Sequence, residues 1–328
     1  METVTDRELT LNSHEVNISS SKKKSSPFIS ANTTEVSLQH LKRDCNIPVF
    51  SKDNESTISH QEFIETVWEC AHQQFPQETI LEPQIRVSHE IKGRIPEAVG
   101  KPAKELLEQE KTIYYERAAF VIELPSIRDT INGNELCLTI GGVRAYNQEN
   151  LYSKKSDEKF KVFIGFKNYV CTNLCVSSDG LLLELKADNL FDLKSKVVSL
   201  LESYNMKKHL TEMDSFGDYE LTQHQFCQFI GKSRLYQYLP KKEKGEIPNL
   251  ALNDGQISAV AKSYFDDENF AADGNGSIDL WKFYNLLTGS TKSSYIDSFL
   301  ERTSNAYQLT QGFAQAIEGH SSYKWFLE

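Results

Sequence analysis

Apolar and polar residues alternate most regularly between Lys159 and Asn173, KFKVFIGFKNYVCTN. A period of two puts Phe160, Val162, Ile164 and Phe166 on one side of a strand and Lys159, Lys161, Phe163 and Lys167 on the other. Three further segments are β-enriched or alternating: IRVSHEIKG (85–93), TIYYERAAFVIELP (112–125) and ELCLTIGGVRAYN (135–147). Asn132-Gly133 joins the second and third of these as a tight turn. Ser177-Ser178-Asp179-Gly180 ends the fourth and admits a short fifth, LLLELKA. Gly141-Gly142 inside a strand predicts a bulge or a close approach of backbone. Connections this short favour an antiparallel meander over parallel crossover units.

A helical period frames the strands. Ser59-His60-Gln61-Glu62 is a capping box, followed by Phe63, Ile64, Val67, Trp68, Ala71 and Phe75, with Pro76 closing the helix. PAKELLEQEK, between the first two strands, predicts a short helix. Leu193, Val197, Leu200, Leu201 and Tyr204 share one face of another, suited to packing across the sheet. More helices are expected at 222–238, 254–265, 278–288 and 293–317. The fold class is therefore α+β: an antiparallel β-meander flanked by an N-terminal helix and a helical C-terminal half. The division is a polar, disordered tail over 1–32, helix plus sheet over 33–188, and a helical half over 189–328 packed on that sheet, all in one continuous domain. No internal repeat is visible.

Composition narrows the class. At 328 residues, 39% hydrophobic and 25% charged, the chain is that of a soluble globular protein. It has no apolar run of the ~18 residues a membrane helix needs. The N-terminus has no basic stretch followed by an apolar core, so no secretory signal is expected. The six cysteines form no CxxC pair, which suits reduced thiols in the cytoplasm. The net charge of −10 argues against a protein that simply coats nucleic acid. Residues 85–170, with 14 basic and 12 acidic side chains, are the one third with a positive balance.

Candidate chemistry is sparse. Asp273-Gly274-Asn275-Gly276-Ser277-Ile278-Asp279 mimics the middle of an EF-hand calcium loop. In that alignment position 1 is Ala271 and position 12 is Lys282, where the loop needs an acid and a bidentate glutamate. The expected structure is a Gly/Asn turn with Asp279 near the start of the next helix. Cys171 and Cys175 lie about 13 Å apart if both are on one strand, too far for a metal pair. The eight histidines form no HxH or HExxH pattern, and nucleophile-elbow, Walker and dinucleotide motifs are missing. No metal, cofactor or catalytic residue is expected. Asn173 and Asn285 are unusual in a core strand and a core helix. With Trp281 and Tyr284 they form a candidate polar pocket, whose alternative reading is backbone cross-linking and packing.

Long runs carry a family resemblance: NTTEVSLQHLKRDCNIPVFSKDNESTISHQEFIE, EKTIYYERAAFVIELPSI, TINGNELCLTIGGVRAYNQENLYSKK, FKVFIGFKNYVCTNLC and SIDLWKFYNLLTGSTKSSYID. They resemble the family of domain of unknown function 3871, a bacterial family associated with conjugative and integrative elements. More loosely, the chain is similar to the phage- and plasmid-borne family of domain of unknown function 932. There a V-C-x-N core matches Val170, Cys171 and Asn173, and a W-x-x-Y/F-N-x-x-T helix matches Trp281, Tyr284, Asn285 and Thr288. The resemblance implies a mobile-element context and a fold, not a reaction.

Two functions follow as expectations. In the first, the chain is a non-enzymatic accessory that binds single-stranded nucleic acid on an open sheet face. Lys159, Lys161, Lys167 and Arg144 would contact phosphates while Phe163 and Tyr146 stack on bases. In the second, it is a protein-interaction module with a host or element-encoded protein as partner, for example an anti-defence protein whose acidic surface imitates DNA phosphates and masks a host enzyme such as a restriction endonuclease. A helix laid over the lysines, or an acid paired with each, would remove the first mechanism.

Overall fold

The computed structural model describes residues 27–48, 57–148 and 157–328. In chain order the first elements are β1 (Thr34–Val36), α1 (Leu38–Asp44), β2 (Ile47–Pro48) and α2 (His60–Gln74). Then come β3 (Gln84–Val87), β4 (Glu90–Arg94), β5 (Lys111–Tyr115), β6 (Arg117–Ile131) and β7 (Asn134–Ala145). The sheet ends with β8 (Glu158–Asn168), β9 (Leu174–Cys175) and β10 (Leu181–Ala187). The helical half holds α3 (Leu190–Ser203), α4 (Met206–Ser215), β11 (Glu220–Leu221), α5 (Gln223–Tyr236) and α6 (Lys241–Lys244). It closes with α7 (Asp254–Asp266), β12 (Ile278–Asp279), α8 (Leu280–Thr291) and α9 (Ile296–Ile317). The fold is α+β, as the periodicities predict.

The main sheet is antiparallel with strand order β1-β3-β6-β7-β8-β10, and β9 pairs beside β8. Asn132 and Gly133, both at positive φ, make the β6–β7 turn. The register runs unbroken past Gly141-Gly142, so the pair marks a close approach and not a bulge. A Cβ on Gly141 would stand 2.2 Å from the Phe120 carbonyl oxygen, and one on Gly142 would stand 2.6 Å from the Phe63 ring. The segment 85–93 is split between two sheets, because β4 leaves β3 to join β2 and β5. PAKELLEQEK forms no α-helix; only a single 3-10 turn over Glu108–Glu110 appears there.

Helices cover both sheet faces. On one side α2 and α3 pack on the even-numbered residues of β8: Phe63 meets Phe120 at 5.2 Å and Phe160 at 4.8 Å between ring centres. On the other side the first turns of α9 bring Ile296, Phe299 and Leu300 against Ala119, Val121, Val143 and Phe163. Phe28 and Ile29 are buried in that second layer, inside the stretch assigned by sequence to a disordered tail. The KKK run of that tail lies outside the described residues. No helix of the described residues is long and apolar enough to cross a membrane.

Candidate functional site

The strand expected to present cations to solvent is closed on both sides. Phe163 is buried beneath α9. Lys161 donates from Nζ to the Asp297 backbone carbonyl in the first turn of α9. Burial lowers its pKa. Lys167 is buried and paired with Glu123, Nζ to Oε1 2.5 Å, on β6. Lys159 is exposed. Lys159 and Lys161 line a cleft of about 330 Å³ together with Glu184 and Glu301, so that cleft carries balanced charge.

Arg144 lies on the opposite face. The register pairs Val143 with Lys161, which puts Arg144 beside Phe160. It is 0% exposed, pairs with Glu158, donates to the Ile58 carbonyl, and stacks over Tyr146 and Phe160 at 4.3 and 4.7 Å. Tyr146 is buried, its hydroxyl 3.0 Å from that of Tyr114. Of the expected binding set, Arg144, Tyr146, Phe163 and Lys167 are thus core or buried ion pair, and Lys161 is half-buried and held by the Asp297 carbonyl. Alternation separates the two faces of a strand but does not say what covers each.

The asparagines do converge. After β8 the chain turns back through Thr172, a β-branched residue held at φ 59°, and Thr172 N–H reaches the Asn168 carbonyl at 2.8 Å. The turn is clamped to α8. Asn173 Nδ2 donates to the Asn285 carbonyl (2.9 Å), and Asn168 Nδ2 donates to Asn285 Oδ1 (3.1 Å). Asn285 Nδ2 in turn donates to the Trp281 carbonyl at 2.9 Å. Lys292 Nζ donates to the Cys171 carbonyl and to Thr172 Oγ1, and burial lowers its pKa. A 240 Å³ pocket opens here, lined among others by Cys171, Asn173, Asp267, Asn285 and Lys292. Asn173 Oδ1 is buried and finds no partner among the described residues. Burial pushes the Cys171 thiol up to about 11, so it is not a thiolate at neutral pH.

Trp281 and Tyr284 do not line this pocket; both are buried in the core, Tyr284 against Phe216 and Tyr307. Arg144 is not among the lining residues either. Asn168 and Lys292 belong to the clamp and were not singled out from sequence. Nothing in linear spacing ties positions more than a hundred residues apart.

A cationic, ring-bearing surface does exist, at the end of α5 and on α6. Tyr238 is 83% exposed and Leu235 64%. Lys241 and Lys242 are exposed, with no carboxylate in ion-pairing range among the described residues. Lys244 donates to the Gln237 carbonyl (3.1 Å) and lies over the Tyr236 ring at 5.0 Å. Arg234 is shared with Asp254, Nε to Oδ1 2.8 Å. The stretch 232–244 holds five basic residues (Lys232, Arg234, Lys241, Lys242, Lys244) and one acid, Glu243. Its string, KSRLYQYLPKKEK, carries the signal in plain view. A helical period runs through its first half, so it reads as the end of a core helix.

The family model described as "Domain of unknown function, B. Theta Gene description (DUF3871)" matches residues 11–327. The chain belongs to this family. No curated protein and no solved structure matches it. The family match takes in the sheet, the asparagine clamp and the cationic corner together, so all three lie within one family unit.

Proposed function

We propose that this member of the family binds single-stranded nucleic acid without transforming it, through the α5–α6 corner and not through the sheet. The observation that carries the proposal is Tyr238, 83% exposed, three and four residues ahead of the exposed Lys241 and Lys242 in the chain. A base stacked on an exposed ring gains about 1–3 kcal/mol whatever its sequence, and neighbouring cations track the backbone. The chain as a whole is acidic, −10, which disfavours indiscriminate attraction for polyanions. A role as an accessory of a mobile genetic element, where single strands arise during transfer, fits such a binder.

The test is fluorescence anisotropy with a labelled 20-nucleotide single-stranded DNA between 25 and 200 mM KCl. Contacts from Lys241, Lys242 and Lys244 give a log–log salt slope of about −2. K241E/K242E weakens binding at least tenfold, Y238A weakens it about five- to a hundredfold, and K159E leaves it unchanged. Absence of binding at 25 mM KCl, or full affinity in K241E/K242E, rejects the proposal. Salt-independent capture of a protein through Leu235 and Tyr238 would replace it with a protein-docking role.

A further inference from the structure

Two helix-entry turns in the C-terminal half are related by a short antiparallel bridge in which Leu221 pairs with Ile278. Aligning those two residues also superposes Thr222 on Asp279, Gln225 on Lys282 and Phe226 on Phe283. Thr222 caps α5 through Gln225 N–H, and Asp279 caps α8 through Lys282 N–H. The two turns therefore share a bridge position, a capping side chain and the capped amide three residues on.

The second turn has the construction of a calcium loop. Gly276 sits at φ +83°, at the turn position where that loop requires glycine. Asn275 Oδ1 accepts from Ser277 N–H at 2.9 Å, and Asp273 N–H closes the turn onto the Ser277 carbonyl at 2.8 Å. Ile278 then enters the bridge and Asp279 opens the helix. At the twelfth position, where a bidentate glutamate would grip the cation, stands Lys282. Its Nζ lies 2.6 Å from Asp273 Oδ1 and 3.7 Å from Asp279 Oδ2, side chains at the third and ninth loop positions. Hydrogen bonding to Asp273 raises the lysine's pKa, so the group is a cation at any physiological pH.

The groove between the paired helices is also filled from within. Phe313 of α9 stacks on Phe283 at 5.5 Å and meets Phe229 edge-on at 5.5 Å, while Phe326 lies 6.1 Å from Phe229. In sensors of this construction, cation binding opens an apolar groove that then takes a target helix.

We propose that residues 206–317 contain a calcium-type helix–loop–helix pair locked without metal, with the Lys282 ammonium in the place of the cation and α9 in the place of the target helix. The lock is independent of the nucleic-acid reading above.

Calorimetry and thermal unfolding of the full chain with CaCl2 test it. The wild type gives no binding heat and no shift of Tm at 5 mM CaCl2. K282M speeds amide exchange over 276–279 at least fivefold, and calcium does not reverse this. A271D/K282E restores the two missing anionic ligands and binds one calcium with Kd on the order of 10⁻⁴–10⁻³ M, raising Tm. Calcium binding by the wild type, unchanged exchange in K282M, or a folded A271D/K282E blind to calcium would each overturn the proposal. Should A271D/K282E not fold with or without calcium, K282M alone decides.

Discussion

Two buried histidines show what taking a titratable side chain out of water implies for stability. His60 is buried among Tyr114 and Tyr146, and its Nε2–H donates to the Tyr115 carbonyl at 2.9 Å. Burial, with the nearby Arg144 charge, lowers its pKa to about 3. His209 Nδ1 is hydrogen-bonded to the Tyr204 hydroxyl (2.7 Å), and burial lowers its pKa to about 3 as well. Both rings are neutral when folded and take a proton near pH 6.5 when unfolded. Their contribution to stability is therefore complete above pH 6.5 and is lost progressively as the pH falls toward 3. The loss approaches about 1.4 kcal/mol per pH unit for each ring well below pH 6.5, so the pair removes about 3 kcal/mol between pH 6.5 and 5. Urea midpoints measured at pH 7.5, 6 and 5 check this, and H209Q is expected to halve the slope.

Among the elements, β7 shows how tightly the sheet is built. Gly141 lets the Phe120 carbonyl and the Phe163 ring approach to where a side chain would stand. G141A forces backbone, not a flexible side-chain tip, to move, at a cost of about 3 kcal/mol. The expected readout is a lowered denaturant midpoint with unchanged slope. G133A, in the open β6–β7 turn, meets no atom within 4 Å and is strained only by its φ of +78°. It should cost less, about 1 kcal/mol.

For the whole molecule, α9 is the element that joins the halves. Its first turns cover the sheet through Phe299 and Leu300, and its later turns carry Phe313 into the helical pair. Unfolding is therefore expected to be a single transition. F313A should lower stability by about 3–5 kcal/mol and move the far-ultraviolet and tryptophan-fluorescence midpoints together. Separated midpoints would mean that sheet and helical half unfold independently.

Local periodicity determined most of the secondary structure: the capping box at Ser59, the Asn132-Gly133 turn, the meander strands and the long helices lie where neighbours within a few residues place them. Such signals depend on φ/ψ preference and on side-chain spacing, which the chain carries locally. The family also follows from sequence alone. That helices close both sheet faces does not, because Phe299 and Asp297 lie more than a hundred positions from the lysines of β8. The sequence pairs Asn173 with Asn285 only as a suspicion, and it gives no hint that Lys292 completes the clamp. It likewise shows Lys282 as a defect in a metal loop. Only the folded backbone brings that ammonium to Asp273 and Asp279, and burial and charge pairing depend on distances that exist only once remote segments have packed.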